Sequence, residues 1–535
     1  MKLTFIGADH EVTGSMHFLQ TKDLNLLIDC GMEQGSNPYE NADMPIPYSE
    51  IDYILLTHAH IDHAGMIPYA YARGFRGSVL ATDASMDLDG IMLLDSANIQ
   101  EQDAEWESRK AKRAGRPEVE PLYTVEDAKK AIAGFRPVPY GKTEELSDTV
   151  SIRFVDAGHL LGSASIEIWI NEDGISKKIV FSGDIGNKNK PLIRDPQYIE
   201  EADYVVMEST YGDRYHEKGL DHVAELADII QRTLDRGGNV IIPAFAVGRT
   251  QEMLYFIRHI KQKGLVNGHD GFPVYVDSPL AIEATEIFRE NLAECYDRET
   301  KELVLSGINP IGFEGLRLSV TAEDSKAINY NEEPKVIISA SGMCDAGRIR
   351  HHLKHNLWKP SCSVVFAGYQ AEGTLGRLLQ DGKKEVKILG EAVHVEASIE
   401  NMGGMSSHAD CDGLMEWIGA YKKAPKLVFL VHGEDSAMEN LSGLIKDKYG
   451  YEVSCPYSGS VFDLAAGTFD YMAEPVFRKK ETAISMRNDK VRSDLSEAIE
   501  GLRRLCVRYE DFSNKDIRRL TADINAIIEK YGTED

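Results

Sequence analysis

The segment Thr57-His58-Ala59-His60-Ile61-Asp62-His63 carries three imidazoles and a carboxylate, with no lysine or arginine among them. Imidazole nitrogens together with a hard oxygen suit zinc or a similar first-row divalent ion. Along an extended loop, alternation aims His58, His60 and Asp62 to one side while His63 points elsewhere. One such loop could serve two ions placed side by side. The competing reading is a polar surface turn with chance histidines, and donors at this density argue against it.

Further side chains fit for metal or proton chemistry sit in short polar tips. They are Asp29-Cys30-Gly31, Asp156-Ala157-Gly158-His159, Gly183-Asp184, Glu208-Ser209-Thr210-Tyr211-Gly212 and His432-Gly433-Glu434. Asp29 either orients the metal histidines from behind or caps its own turn. His408, in Gly404-Met405-Ser406-Ser407-His408, follows a glycine turn and opens a helix, a position suited to a catalytic group. His394, in Val393-His394-Val395-Glu396, falls on the polar face of a strand and reads as a surface histidine.

The elements that position these tips are apolar runs of the kind that form buried strands. Strands are expected over residues 2–6, 17–20, 25–28 and 51–56, and again over 150–155, 178–182, 204–207 and 426–431. Each of the tips ends such a run, where rigid scaffold meets loop. Helices are expected over 64–73 and 124–133, and the long polar stretch 88–114 reads as a peripheral helical insertion.

From residue 213 to about 391 four units run strand, glycine-containing loop, helix, which predicts a parallel sheet covered by helices. Their loops contain Gly248-Arg249, Asp277-Ser278-Pro279, Ser341-Gly342 with Gly347-Arg348, and Gly373-Thr374-Leu375-Gly376-Arg377. Glycines at helix starts expose backbone N–H groups to an anion. Ser341, Arg249, Arg348 and Arg377 are therefore candidate phosphate contacts, and structural capping explains any arginine taken singly.

A chain of 535 residues is too long for one core and implies several domains. No apolar run is long enough to span a bilayer, and the polar opening MKLTFIGAD is unlike a signal peptide. Seven scattered cysteines without paired spacing argue for reduced thiols and against a cysteine-ligated metal. A soluble cytoplasmic protein is expected. The net charge of −27 argues against a general nucleic-acid coat but not against a local positive groove. Beyond about residue 475 the chain becomes charged. Val491, Leu495, Ile499, Leu502 and Cys506 form one apolar helical stripe. Ile517, Leu520, Ile524 and Ile527 form another behind a cap at Ser513. Such a hairpin must bury its stripes on its own body or against a second copy, as in a homodimer.

Taken together, the motifs resemble the metallo-β-lactamase fold and, within it, the β-CASP nucleases. His58-Ala59-His60-Ile61-Asp62-His63 is similar to the HxHxDH motif, and Asp29, His159 and Asp184 to the other motifs of the fold. Glu208, His408 and His432 match the three motifs that mark the β-CASP group. Matching stretches include PAFAVGRTQE, DSPLA, SGMCDAGR and GYQAEGTLGR. The resemblance spans about residues 1–470 and is nearest to bacterial and archaeal versions of the endonuclease that cleaves messenger RNA 3′ ends, with RNase J more distant.

The resemblance implies an α/β architecture: an αββα sandwich (1–212 and 392–474) interrupted by a parallel α/β β-CASP domain (213–391), followed by a C-terminal helical hairpin (475–535). It implies His58, His60 and His159 on one Zn2+, Asp62, His63 and His432 on the other, and Asp184 bridging, with Mn2+ as a substitute. It also implies His408, held by Glu208, as general acid in hydrolysis of single-stranded RNA, by an endonuclease with or without 5′-exonuclease activity. The alternatives are another hydrolase on this fold, such as a DNA nuclease or small-molecule esterase, and a non-catalytic scaffold. Filled ligand positions speak against the scaffold.

Overall fold

The computed structural model describes residues 1–35, 37–291, 295–478 and 513–531. Alternating burial along short strands builds two sheets that face each other. Leu26 and Ile28 join Ile168, Phe181, Tyr204 and Val206 in one buried cluster. Leu27, pointing the other way, packs with Ile67, Leu93 and Ala128 of the covering helices. On the second sheet Val205 and Met207 turn outward against Leu414, Trp417 and Leu441. Period-two side-chain direction thus produces the four-layered αββα sandwich.

The first sheet has eight strands, in the order Thr468–Tyr471, Val461–Asp463, Lys2–Gly7, Met16–Gln20, Asn25–Ile28, Tyr53–Leu55, Ser78–Ala81 and Phe135–Pro137. The second has seven: Val453–Ser454, Leu427–Val431, Tyr204–Glu208, Ile175–Phe181, Ala164–Glu172, Val150–Asp156 and Thr143–Glu145. Residues from both halves of the chain therefore complete both sheets. The strand Ala164–Glu172, unanticipated from sequence, pairs antiparallel with both of its neighbours. The helix expected over 64–73 is two short ones, Ile61–Ala64 and Ile67–Ala72. The insertion helix starts earlier than expected, spanning Asp83–Arg113, because Thr82 caps it by accepting from Ser85 N–H.

A third sheet carries six parallel strands, in the order Leu316–Leu318, Val274–Val276, Val336–Ser339, Val240–Pro243, Ser363–Phe366 and Ser398–Asn401. All four expected strand–loop–helix units are present, with helices Arg249–Gln262, Pro279–Glu290, Ile349–Asn356 and Leu375–Gln380. The outer strand Leu316–Leu318 has no counterpart among the expected strands, while the strand expected around His394 divides into Glu391–His394, in a separate hairpin, and Ser398–Asn401, which completes this sheet beyond residue 391. Ile242 packs toward one helical layer and Ile241 toward the other, as a doubly covered parallel sheet requires. The first of these clusters also holds Ala59, Leu160 and Leu161. The third sheet is thereby packed directly onto the loops that carry His58, His60 and His159.

The chain divides into two compact units, Met1–Val476 and Phe477–Asp535. In the second unit the helix Asn514–Tyr531 is capped as expected, Ser513 Oγ accepting from Asp516 N–H at 3.2 Å. The stripe at 491–506 and the side chain of Ile527 lie outside the described residues.

Candidate metal centre

His58, His60, His159 and Asp184 bring one ligand atom each within 4.8 Å of one another, and so do Asp62, His63 and His432. His60 Nδ1 lies 3.0 Å from His58 Nε2 and 3.3 Å from His159 Nε2. His63 Nε2 lies 3.3 Å from His432 Nε2, which is 3.6 Å from Asp62 Oδ2. Asp184 joins the sets. Its Oδ2 is 3.4 Å from His58 Nε2 and its Oδ1 is 3.3 Å from His63 Nε2. The expected alternation fails at one residue: Asp62 sides with His63 rather than with His58 and His60. The helix Ile61–Ala64 begins there, and helical geometry replaces the extended period.

The donors fit divalent cations. Asp184 is 2% exposed, and its Oδ1 receives no hydrogen bond. Burial first, then neighbouring histidines, lowers the pKa of His58 and His159, and burial pushes His60 down to about 3. Their lone pairs are thus free for a metal. Burial also works against the proton on His63, but Asp184 and Asp29 outweigh it and hold its pKa well above the usual range. Burial likewise opposes the proton on His432, and there Asp184 and Asp62 win. A cation bound to these two must displace protons.

Asp29 holds the site from behind. It accepts from His63 Nδ1 at 2.7 Å, Thr57 N–H at 2.8 Å and Thr57 Oγ at 2.9 Å. That leaves His63 Nε2 facing inward, the arrangement that orients a metal histidine. Asp29 and His432 both adopt left-handed backbone, with φ of +57° and +48°, a conformation non-glycine residues keep only where surroundings impose it. For His432 the imposed contacts are its N–H to Ala8 O at 2.6 Å and Thr210 Oγ beside its Nδ1 at 3.0 Å. Gly31 permits a close approach: a Cβ there would lie 1.8 Å from Asp62 O.

His408 sits beside this cluster and not on a helix start. Asp410 caps the helix Cys411–Gly419, while His408 forms a single antiparallel bridge to Gly186, two residues beyond Asp184. Its Nδ1 is 3.2 Å from each Glu208 oxygen, and its Nε2 is 3.9 Å from Asp184 Oδ2. Burial lowers its pKa, yet Glu208 and Asp184 prevail and raise it to about 9. Glu208 is fixed in turn by Ile185 N–H and Thr210 N–H.

The phosphate candidates fare unequally. Arg249 is bound to Glu252 and to Met405 O, so it braces the loop that leads to His408. Arg348 donates to Asp277 at 2.7 Å and to the carbonyls of Ser319 and Val320. Both guanidinium groups are spent on protein carboxylates, and structural tethering displaces the phosphate reading for them. Ser341 Oγ donates to Ala346 O at 3.3 Å, closing its own loop. Arg377 contacts Asp381 but stays 37% exposed. His394 is exposed and pairs with Glu396, as expected.

Beyond Asp29 and Glu208, the sequence does not single out three further positioning residues. Thr57 Oγ lies 3.1 Å from His58 Nδ1 as well as against Asp29. His216 Nε2 donates to His408 O at 3.0 Å, and the Tyr211 ring stands edge-on to His408 at 5.9 Å. Tyr211 alone had a local signal, its place just after Glu208-Ser209-Thr210.

Comparison with known proteins agrees with this geometry. A metallo-β-lactamase superfamily domain matches residues 18–201, a Beta-Casp domain 250–379, and a Zn-dependent metallo-hydrolase RNA specificity domain 392–456. Ribonuclease TTHA0252 of Thermus thermophilus is 38% identical over 457 residues, covering 85% of this chain and 98% of that protein. The chain belongs to the β-CASP family of metallo-β-lactamase-fold hydrolases. Other members of this family are the transcription termination factors FttA of Methanocaldococcus jannaschii and Methanosarcina mazei. They are 31% and 30% identical over 85% and 84% of this chain and 70% of each factor. As a β-CASP hydrolase the chain has a divalent-metal fold, and these groups of His and Asp side chains could hold metal ions. Among the described residues no helix is long and apolar enough to cross a membrane.

Proposed function

We propose that this β-CASP hydrolase is a two-zinc endoribonuclease acting on single-stranded RNA, with manganese as a substitute metal. The observation that carries the reading is the pair of donor sets with Asp184 between them and His408 held by Glu208 at their edge. The match to an RNA specificity domain and the likeness to a protein named a ribonuclease support RNA as substrate.

His58, His60 and His159 would hold one ion, Asp62, His63 and His432 the other, and Asp184 both. Divalent ions there supply Lewis-acid activation of water and charge neutralisation at a phosphate. The chain's own part is the leaving group. As water's oxygen bonds to phosphorus and the ester P–O bond breaks, the departing oxygen needs a proton. His408 carries one on Nε2, keeps it through its Nδ1 contact with Glu208, and is exposed enough to deliver it. The recessed donors favour a strand that can bend a phosphodiester into the site. Buried free thiols at Cys30, Cys344, Cys362 and Cys411 fit a reducing, cytoplasmic setting.

The unit Phe477–Asp535 carries a half-exposed apolar stripe at Ile517, Leu520 and Ile524, which fits self-association. Light scattering of the full chain and of a chain ending at Val476 tests this, and equal mass per chain contradicts it. For the main reading the test is cleavage of matched RNA and DNA strands and of a circular RNA by metal-replete protein. RNA cut in both linear and circular form is expected. DNA cut as fast as RNA, or hydrolysis confined to small esters, supports the competing hydrolase readings instead.

A further inference from the structure

Phe245 and Tyr369 are each 49% exposed, and both stand at the carboxyl edge of the third sheet. Phe245 follows the strand Val240–Pro243 and Tyr369 follows Ser363–Phe366, and these strands are parallel neighbours. The ends of parallel strands are where open α/β sheets take ligands. Neither aromatic is exposed because its loop is loose. Phe245 O accepts from Thr250 Oγ at 2.8 Å, and Ala246 O accepts from Gln251 Nε2 at 3.1 Å. Gln370 Nε2 donates to both Tyr369 O and Gly342 O at 3.0 Å, knitting the next strand's loop to this one. Gly342 lets the Phe245 ring lie against that loop, since a Cβ there would sit 2.9 Å from the ring.

The edge is continuous with the catalytic cluster. Arg249, in the loop that follows Phe245, donates to Met405 O on the segment leading to His408, and the Tyr211 ring stands edge-on to His408. Arg377, half-exposed, lies on the helix Leu375–Gln380 that follows the Tyr369 loop. Charge adds a second argument. With a net charge of −27 the chain does not attract phosphates at long range. Arg249 and Arg348 are already committed to protein carboxylates. Contacts that do not depend on charge then add to what the metal ions and the half-exposed Arg377 supply. Isolated surface aromatics are ordinary, but two whose loops are hydrogen-bonded in place at the ends of adjacent strands are not isolated.

We propose that Phe245 and Tyr369 form a base-stacking platform that holds nucleotides of single-stranded RNA on the His408 side of the cleaved bond. This rests on the ribonuclease reading above. Stacking tolerates any base, so the platform gives affinity and strand selectivity without sequence preference.

The test compares kcat/KM for single-stranded RNA with that for methyl p-nitrophenyl phosphate, a diester without bases, in the full zinc-loaded chain. The ratio of the two should fall on the order of tenfold in Phe245→Ala and in Tyr369→Ala. Phe245→Leu and Tyr369→Leu, which keep apolar volume without a ring, should fall alike and guard against an unfolded alanine variant. Phe245→Tyr and Tyr369→Phe should keep the ratio. An RNA abasic at the stacked nucleotide should lower the wild-type rate as the substitution does, and lower the Tyr369→Ala rate no further. An unchanged ratio in the alanine and leucine variants overturns the platform, as does failure of the aromatic exchanges to preserve it. If wild type hydrolyses the diester but no RNA, the ribonuclease reading falls by itself. Anisotropy of a labelled single-stranded oligonucleotide then judges the platform: weaker binding by both alanine variants supports it, and equal binding rejects it.

Discussion

Asp184 lies between the two donor sets, Oδ2 turned to His58 and His159 and Oδ1 to His63. The protons around it set the pH behaviour. His58, His60 and His159 have lowered pKa values, whereas His63 and His432 have raised ones and hold their protons to higher pH without metal. Proton release is therefore linked to filling the Asp62–His63–His432 set, and its affinity must drop as pH falls. Bound metal, read by elemental analysis after dialysis at about pH 8 and about pH 6, should decline from two equivalents toward one. An equal decline at both sets contradicts the assignment. His408 and His432 separate by the same readout. His432→Ala should lose metal, while His408→Ala should keep both ions and cut RNA ~10²–10⁴-fold more slowly, beyond rescue by added zinc. Glu208→Gln should resemble it more mildly. A His408→Ala protein short of one ion would reverse the two roles.

At the scale of elements, what was legible followed from simple periodicities. Apolar runs ending in a polar tip located the strands behind His159, Asp184, Glu208 and His432, and repeated strand–glycine–helix units located the parallel sheet. What was illegible depended on contacts between distant segments. Nothing local to Arg348 reveals that Asp277, far away in sequence, binds it, nor that His352 and Ser325 share that carboxylate at 2.6 Å each. The fate of Asp62 turned on a four-residue helix too short to show a period. The Asp277 network carries its own prediction. Burial raises the Asp277 pKa, but His352, Ser325 and Arg348 prevail and lower it to about 2. A depressed carboxylate stabilises the fold above its unfolded pKa of ~3.9, and that contribution is lost as pH falls toward 2. Asp277→Asn leaves Arg348 and His352 without their anion, so urea unfolding at neutral pH should show a loss of roughly 3–5 kcal/mol. The variant should also lack this part of the acid dependence. A loss under 1 kcal/mol, at the level of an exposed pair, would show that the network is not structural.

Across the whole molecule, an acidic chain presents its chemistry in a recess bordered by a helix-covered sheet whose loops carry Phe245, Tyr369 and Arg377. Such a site should prefer a flexible strand to a duplex, and its remaining phosphate contacts should make cleavage fall with added salt. Duplex cut as fast as single strand, or a rate indifferent to salt, argues against substrate binding along this edge. The central claim, metal-dependent RNA hydrolysis at the Asp184 cluster, is tested most directly by one titration. Chelator-stripped protein is reloaded with zinc while bound metal and cleavage of a single-stranded RNA are followed together. Cleavage should be absent without metal, rise to its maximum as the second equivalent binds, and stay absent throughout in Asp184→Asn. Full cleavage by metal-free protein, or an RNA left intact by protein holding two equivalents, contradicts the account.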